Sequence, residues 1–353
     1  MSTHHIVEQF AERIRDAAAR RAPLVIRGGG TKDFYGREVA GEVLDTRAYS
    51  GIVDYEPTEL VITARAGTSL AEIEDAMRER GQMLACEPPH FAEGSTLGGC
   101  VAAGLSGPRR PYSGSVRDLI LGVRMLDGKG ADLSFGGRVM KNVAGYDVSR
   151  LMAGSLGTLG VLLEVSLKAL PLPPVETTIR REHSAAQAID LMNAWAGKPL
   201  PISATCHAGN ALYVRLSGAE TAVSAAKQKL GGEAVEDGER FWRDVRDHRL
   251  DFFRTSPALW RVSLKSTTPP LGGDELVEWS GSLRWLAHDG DASAIRARAA
   301  QAGGHATLFR RGATTGIEPF HPLSPALARV HAKLKRTFDP DGVLNPGRMY
   351  ADV

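Results

Sequence analysis

The sequence RGGGTK, at residues 27–32, follows a short apolar run, Leu24 to Ile26, that has the composition of a β-strand. It offers consecutive backbone N–H groups, a hydroxyl at Thr31 and a cation at Lys32, which are the parts of a phosphate-binding nest. The spacings of the P-loop (GxxxxGK[ST]) and of the Rossmann turn (GxGxxG) are both absent. The segment therefore predicts either a pyrophosphate site or a glycine-rich hairpin.

Two further glycine-rich segments occur in the same half of the chain. GSTLGGCVAAG, at 94–104, places two hydroxyls before two glycines and a run of small residues, which suits a helix that starts against a flat ligand or simply packs tightly. GSLGTLG, at 154–160, lies between a predicted helix and a predicted strand. Three such loops in one domain indicate an extended dinucleotide rather than a mononucleotide.

The distribution of glycine supports this interpretation. Glycine accounts for 39 of the 353 residues, about 11% against a usual value of about 7%, and 23 of the 39 lie between Gly28 and Gly160. Glycine permits positive φ angles and close approach of the backbone to a ligand, at an entropic cost. The clustering favours backbone wrapped around a ligand, and the alternative is a loop-rich β domain with many tight turns.

Overall composition excludes several classes of protein. With 43% hydrophobic and 24% charged residues, the chain is neither disordered, collagen-like nor a coiled coil. A net charge of +2 requires neither nucleic acid nor an anionic membrane as partner. Cys86, Cys100 and Cys206 form no CxxC pair, which argues against a disulfide framework and against an iron–sulfur or zinc site, so no metal is expected.

The chain also shows no targeting or membrane segment. The residues after Met1 lack the apolar core of a secretory signal, and His4 and His5 are expected in a solvated terminus rather than a metal site. No apolar run approaches the roughly 20 residues of a spanning helix. We expect a cytoplasmic protein that reaches the inner membrane, if at all, as a peripheral component through its partners.

Periodicity and turn signals predict two α+β domains. The segment PLPP at 171–174 marks the boundary between a domain at 1–171 and a second domain at 172–317. In the second domain, strands and helices alternate in two rounds of similar size, which predicts a mostly antiparallel sheet. A final helix over 325–338 and a tail, at 318–353, are expected to return to the first domain.

Five segments together resemble a known family. They are RGGGTK at 27–32, PPHFAEGSTLGG at 88–99, SGPRRPYSGSVRD at 106–118, KNVAGYDVSRLMAGSLGTLG at 141–160 and FDPDGVLNPGR at 338–348. In order and spacing they resemble the FAD-binding family of vanillyl-alcohol oxidase and p-cresol methylhydroxylase. The resemblance covers the first domain and the tail, and it implies an FAD-binding domain of the p-cresol methylhydroxylase type with residues 172–317 as an α+β cap.

The resemblance also implies cofactor-binding residues. The pyrophosphate is assigned to Arg27, Gly28, Gly29, Gly30, Thr31 and Lys32. Ribityl and isoalloxazine contacts are assigned to Ala66, Gly67, Pro88, Ser95, Thr96, Gly98, Gly99, Gly104, Ser113, Gly114 and Ser115. Support for adenine and pyrophosphate extends to Gly154, Gly157, Thr158, Gly160 and Val161, and Asn345 brings the tail back over the flavin. A valine at Gly29 should abolish FAD retention, both through strain at positive φ and by filling the space of the ligand.

Two departures from the family pattern lead to predictions about how FAD is attached and about the role of His207. Relatives that tether FAD covalently often have histidine where this chain has Thr31, so non-covalent FAD is expected. Related 2-hydroxy-acid dehydrogenases use a metal-associated pair of histidines. Here only His207 stands in comparable sequence, and RGAT at 311–314 replaces the second motif, so His207 is expected to be a strand-end residue.

The catalytic residues are consequently unknown from sequence. Arg109 and Arg110, in a loop expected near the flavin, are candidates to clamp a substrate carboxylate, with a structural ion pair or a subunit contact as the alternative.

Three functions remain open from sequence. In the first, the chain is an FAD-dependent subunit that oxidises glycolate or a similar short 2-hydroxy acid to the 2-oxo acid and passes electrons to a partner. In the second, it is a non-catalytic electron-transfer and assembly module beside a sister FAD subunit that carries the active site. The third is a self-sufficient oxidase of another alcohol. The first two imply a complex with a larger FAD subunit and an iron–sulfur subunit, because the chain has no cluster motif of its own.

Overall fold

The computed structural model describes residues 3–137, 146–256, 258–312 and 316–352. Over these residues the α-helices are α1 (Thr3–Arg20), α2 (Leu70–Arg78), α3 (Leu97–Ala103), α4 (Arg110–Ser113), α5 (Val116–Leu119), α6 (Val148–Leu151), α7 (Ala185–Ala196), α8 (Glu220–Leu230), α9 (Gly238–Arg246), α10 (Asp251–Thr255), α11 (Ala292–Gln301) and α12 (Pro325–Phe338). The strands are β1 (Leu24–Arg27), β2 (Glu42–Asp45), β3 (Ile52–Glu56), β4 (Val61–Arg65), β5 (Gln82–Met83), β6 (Ile120–Leu126), β7 (Asp132–Gly136), β8 (Val161–Lys168), β9 (Leu170–Pro171), β10 (Val175–Glu182), β11 (Ile202–Ala208), β12 (Ala211–Gly218), β13 (Glu233–Ala234), β14 (Leu259–Ser263), β15 (Asp274–Glu278), β16 (Leu283–Ala287) and β17 (His305–Arg310).

The first part of the chain is built on a five-stranded antiparallel sheet in the order β3-β4-β8-β6-β7. Strand β8 is buried on both faces, because Leu162 and Val165 pack toward α2 and α3 while Val161 and Leu163 pack toward α1. Strands β1 and β2 form a separate parallel pair beside α1. This arrangement places the loop after β1 at the edge of the first part.

The second part is an eight-stranded antiparallel sheet in the order β13-β10-β12-β11-β15-β16-β14-β17. Helices α7, α8 and α11 cover one face of this sheet. The other face carries Leu276, Trp285 and Phe309 and packs against Tyr35 and Leu105 of the first part. We call this second surface the inner face. The predicted fold class, α+β with an antiparallel second part, is confirmed, and the domain boundary at residue 171 stays a prediction.

The tail returns to the first part by way of α12. At the end of that helix the buried Asp339 carboxylate pairs with Lys335 at 2.8 Å and accepts hydrogen bonds from the backbone N–H groups of Val343 and Leu344. The carbonyl of Val343 then accepts from the backbone N–H of Leu24 at 2.7 Å, and Leu344 bridges to Leu24 in parallel. The tail thereby extends the β1–β2 pair.

Some elements have no counterpart in the sequence prediction, chiefly α9, α10 and β15. Helix α9 is nine residues long and is capped by Asp237, whose carboxylate accepts a hydrogen bond from the backbone N–H of Arg240. Strand β15 joins the two halves of the eight-stranded sheet by pairing with β11 and β16. In the part of the chain that the structure describes, no helix is both long and apolar enough to cross a membrane.

Candidate functional site

The loop at 28–32 presents an array of free backbone donors. Gly30 lies in the left-handed region at φ +72°, and the chain turns there away from β1. Within the described residues, the backbone N–H groups of Gly28, Gly29, Gly30, Thr31 and Lys32 donate to no protein acceptor. Consecutive unpaired N–H groups in such a turn form a concave anion-binding nest, because each donor needs an acceptor from outside the protein.

The Lys32 ammonium group extends this nest. Its Nζ lies 2.8 Å from Ser95 Oγ and 3.3 Å from Thr31 Oγ1, and no carboxylate in the described ranges forms an ion pair with it. Burial lowers the pKa of Lys32, against weaker opposing effects of Cys100 and Asp247. Because burial of a cation away from carboxylates has a cost in free energy, the Lys32 ammonium group is well placed to bind an anion.

We expect Lys32→Met to weaken FAD binding about ten- to a hundredfold, because a hydrogen bond to a charged group contributes about 1.5–3 kcal/mol. Fluorescence titration of the apoprotein with FAD measures this loss. Lys333→Met, on the exposed side of α12, is the matched control and should bind FAD as the wild type does. Equal affinities of the two variants would remove Lys32 from the site.

The second glycine-rich segment packs directly against the first. Thr96 caps α3 by accepting from the backbone N–H of Gly99 at 3.2 Å, and a Cβ at Gly28 would overlap the Thr96 side chain. Gly98 donates to the carbonyl of Ala66 at 2.8 Å, and a Cβ there would lie 2.9 Å from that of Ala66. Gly98 and Ala66 are thus small because two loops touch at this point.

The third segment lies beneath the other two. A Cβ at Gly104 would lie 2.8 Å from the backbone of Gly154, so these glycines also serve loop-to-loop contact. Thr158, Gly160 and Val161 are buried, and the Thr158 carbonyl accepts a hydrogen bond from Lys335. These three residues support the floor of the site and do not line it.

Asn345 fastens the tail to both neighbouring elements. Its side-chain oxygen accepts from the backbone N–H of Ile26 at 2.8 Å, and its side-chain nitrogen donates to the carbonyl of Leu156 at 2.7 Å. Both ends of the amide are therefore occupied by protein. The residue adopts φ +43°, which asparagine tolerates better than most residues. Asn345 therefore positions the tail against β1 and the loop at 154–160, and its contact with the cofactor stays a prediction.

These elements enclose a cavity of about 480 Å³. The sequence-predicted residues that line it are Arg27, Gly28, Gly29, Gly30, Thr31, Lys32, Thr96, Gly99 and Asn345. Arg348 also lines it and was missed, although it lies in the tail motif; its guanidinium donates to the carbonyls of Asp33 and Arg37 and holds that segment in place. The predicted residues outside this lining are Ala66, Gly67, Pro88, Ser95, Gly98, Gly104, Ser113, Gly114, Ser115, Gly154, Gly157, Thr158, Gly160 and Val161.

Two of the residues assigned to the flavin ring make hydrogen bonds within the protein. The Ser113 hydroxyl donates to the carbonyl of Ala85, and Ser115 pairs with Asp118 to cap α5. Next to Pro89 the inner face leaves a cavity of about 20 Å³, lined in part by Phe91, His248, Trp285 and Phe309. The rings of His248 and Trp285 are 4.5 Å apart, edge to face.

The suggestion that Arg109 clamps a substrate carboxylate does not agree with its surroundings. Its guanidinium is buried and contacts Glu176 at 2.6 Å and Glu87 at 3.2 Å. Arg215 binds the same Glu87 at 2.9 Å. Two carboxylates already use the donors of Arg109, so its role is that of a structural ion pair between the two parts of the chain.

The surroundings of the Arg110 side chain differ from those of Arg109. Its guanidinium lies over the ring of Trp279, 4.4 Å from the centroid, and it forms no ion pair with any carboxylate of the described chain. It therefore stays a candidate for binding an anion.

The histidines offer no metal site within the described ranges, where no group of three metal-ligating side chains is suitably arranged. His207 is buried in β11, and its Nε2 lies 2.9 Å from the carbonyl of His183. Part of the sequence compared with the second histidine motif, residues 313–314, lies outside the described residues, as do residues 141–145 of the family-like segment.

The residues present fit the phosphates of FAD. Five free N–H groups, the unpaired Lys32 cation and a lining of glycine backbone at the cavity supply what a pyrophosphate needs, namely donors, positive charge and close approach.

Comparisons with known proteins agree with this geometry. A family model described as an FAD binding domain matches residues 5–136. The solved structure of p-cresol methylhydroxylase with substrate bound is similar over 98% of this chain and 87% of its own, with a TM-score of 0.69 at 14% identity, a likeness of fold alone. The nest at 28–32 and the fold thus identify the chain as an FAD-binding protein of the p-cresol methylhydroxylase type.

Two curated relatives narrow this class. Glycolate oxidase subunit GlcE of Escherichia coli (strain K12) is 52% identical over 98% of this chain and 98% of its own length. Glycolate oxidase subunit GlcD of Bacillus subtilis (strain 168) is 30% identical over 51% of this chain and 39% of its own. The chain belongs to the family of glycolate oxidase subunit GlcE. The family resemblance and the FAD cofactor predicted from sequence are confirmed.

Proposed function

We propose that the chain is the FAD-binding subunit of a complex that oxidises glycolate, or a similarly short 2-hydroxy acid, to the 2-oxo acid. The observation that carries the proposal is the phosphate cradle at 28–32 in a chain that shares half its residues with a glycolate oxidase subunit along its whole length. When bound, FAD supplies the capacity to accept two electrons from the substrate.

The residues of the chain act by holding and orienting that cofactor. The N–H groups of Gly28 to Lys32 and the Lys32 ammonium bind the pyrophosphate, while Asn345 and Arg348 hold the walls of the cradle in place. The buried loops at 94–104 and 154–160 support it from below. Thr31 cannot form the covalent bond that a histidine would, so the flavin is held non-covalently and acid precipitation should release it.

The partner subunits of the complex supply the electron relay, for which this chain has no cluster motif of its own. Cys86, Cys100 and Cys206 are all buried free thiols, so electrons leave through an iron–sulfur subunit, with a larger FAD subunit as the third partner. The names of both curated relatives describe subunits of a glycolate oxidase. We propose that the protein works in the cytoplasm, peripheral to the inner membrane, and reaches it through these partners.

A second function is favoured by one specific observation. The cavity beside Pro89, between the inner face and the first part of the chain, measures only about 20 Å³ and is closed by aromatic side chains that include Phe91 and Trp285, so it leaves little space for a substrate. This closure would suit a flavin electron-transfer and assembly subunit whose substrate is oxidised on the sister FAD subunit.

Anaerobic addition of glycolate to the FAD-loaded chain separates the two functions. Loss of flavin absorption at about 450 nm in the isolated chain would support oxidation at this subunit, because reduction removes the oxidised flavin band. Loss only when the sister subunit is added would support the electron-transfer function. Failure to bleach in the complete complex, with a chain that carries its full flavin content, would refute the proposed oxidation of glycolate.

A further inference from the structure

Helix α12 carries an apolar stripe along most of its length. Leu327, Val330, Leu334 and Phe338 recur at intervals of three or four residues, so at 3.6 residues per turn they fall within an arc of about 80° on one side of the helix. The C-terminal end of this stripe is packed, because the ring of Phe338 meets the ring of Phe135 edge to face, with the ring centres 6.4 Å apart. Leu334 and Phe338 thereby join the core of the five-stranded sheet.

The N-terminal half of the same stripe has no covering surface within the described chain. Residues 325–330 are all exposed, and Leu327 and Val330 are 52% and 53% exposed. Of the 14 residues of α12, Lys335 alone is buried. An apolar stripe that continues beyond the core in this way is typical of a surface that another molecule covers.

A groove lies beside the stripe. It has a volume of about 510 Å³, and its lining includes Leu334 and Phe338 of α12, Val148 and Leu151 of α6, and Ala153. The groove therefore shares two apolar side chains with the stripe, and the two form one continuous surface. An apolar groove of this kind takes the apolar face of an amphipathic helix from another protein.

The charges on α12 are all positive. The helix contains Arg329, Lys333, Lys335 and Arg336 and no acidic residue. Lys335 pairs with Asp339, whereas the other three are exposed and form no ion pair within the part of the chain that the structure describes. Three cations near the stripe are thus free to meet carboxylates of a partner.

Two further arginines line the groove. Arg150 pairs with Asp147 at 3.3 Å, and the exposed Arg117 forms no ion pair in the described ranges. The net charge of the whole chain is only +2, so this concentration of cations is local. Its electrostatic complement is an acidic protein surface. A second copy of this chain would bring like charges together, and a flat anionic membrane would contact the helix but leave the groove unfilled.

We propose that the apolar stripe of α12 and the adjoining groove form the docking surface for an amphipathic helix of a partner subunit, which carries carboxylates beside its apolar side chains. The inference rests on the proposed function and deepens it, because the partner is a sister subunit of the same complex. No residue of α12 lines the described cavity at the nest, so docking can be lost while the flavin is kept.

Titration of the FAD-loaded chain with the purified larger FAD subunit and iron–sulfur subunit tests the surface. Leu327→Asp and Val330→Asp should each lower the affinity at least tenfold, because each removes an apolar contact and places a carboxylate among those of the partner. Lys333→Glu should also weaken assembly and make it less sensitive to salt. Leu172→Asp, at a leucine that is 39% exposed outside this surface, is the matched control and should assemble as the wild type does.

A benzophenone amino acid in place of Leu327 identifies the occupant of the surface. In the assembled complex it should cross-link to a segment of a partner subunit that is apolar on one face and acidic on the other. Cross-links only to a second copy of this chain, cross-links to lipid in vesicles that contain phosphatidylglycerol, or no cross-links in a complete complex would each overturn the proposal.

The flavin separates this inference from the proposed function. Aspartate variants at Leu327 and Val330 that keep full flavin content and assemble with the wild-type affinity would overturn the docking surface and leave the proposed function intact. A complex that needs Leu327 and Val330 to assemble, but that glycolate does not reduce, would instead refute the proposed function and leave the docking surface standing.

Discussion

Gly29→Ala is expected to abolish FAD retention, although it adds a single methyl group. The reason differs from the one expected from sequence, because Gly29 does not lie at positive φ; its neighbour Gly30 does. A Cβ at Gly29 would overlap the backbone carbonyl oxygen of Gly94, far inside the contact distance of non-bonded atoms. Backbone atoms cannot move aside as a flexible side chain can, so the loops at 27–32 and 94–104 must separate and the nest opens.

Flavin content after purification, and reconstitution with excess FAD, measure this effect. Gly197→Ala is the matched control, since Gly197 has nothing within 4 Å of an added Cβ and adopts φ −92°. The control should keep its full flavin content. A Gly29→Ala protein that retains flavin as the control does would move the pyrophosphate away from this loop.

Glu87→Gln is expected to destabilise the protein by about 3–5 kcal/mol, the usual cost of breaking a buried ion pair from one side. Glu87 lies between Arg109 and Arg215, whose side chains are 8% and 4% exposed. Burial alone would raise the pKa of Glu87, but Arg215 and Arg109 outweigh it and lower the pKa. Removal of the carboxylate leaves two buried guanidinium groups that share Glu176 alone.

Urea denaturation at several pH values measures this effect. The pKa of Glu87 is lowered by folding, so its stabilising contribution is present above the unfolded-state pKa of about 4.3 and is lost as the pH falls through the folded value. The difference between wild type and variant should therefore shrink in acid. Glu182→Gln, at a carboxylate that is 78% exposed and paired with Arg180, should cost less than about 1 kcal/mol. Equal losses for the two variants at pH 7 would contradict the role assigned to Glu87.

Local signals in the sequence account for much of the fold. The apolar residues of α12 recur at helical spacing and β8 is a short continuous apolar run, so both elements are predictable from the local sequence. Strand β15 cannot be predicted from such local signals. Its sequence, DELVE, is rich in acidic residues, and only pairing with β11 and β16 makes it a strand. Helix α9 is missed because it is short and mostly charged.

The sequence predicts which chemical groups form the candidate site, but not how these groups are arranged in space. Three glycines after a strand, followed by Thr31 and Lys32, predict an anion nest, with a glycine-rich hairpin as the alternative. Which glycines face the cavity depends on contacts between loops far apart in sequence, as between Gly28 and Thr96 or Gly104 and Gly154. Arg109 and Arg110 are neighbours of one type, yet only their tertiary partners distinguish a buried ion pair from a free cation.

The two hydrogen bonds of the Asn345 side chain must form before the nest has its complete wall. The side chain that fixes the strand beneath the nest belongs to a residue 319 positions after Ile26. The nest is synthesised before this part of its wall, because Ile26 precedes Asn345 in the chain. A growing chain therefore presents the glycine loop before this support can form, and we expect tight FAD binding only once Asn345 has folded back against Ile26.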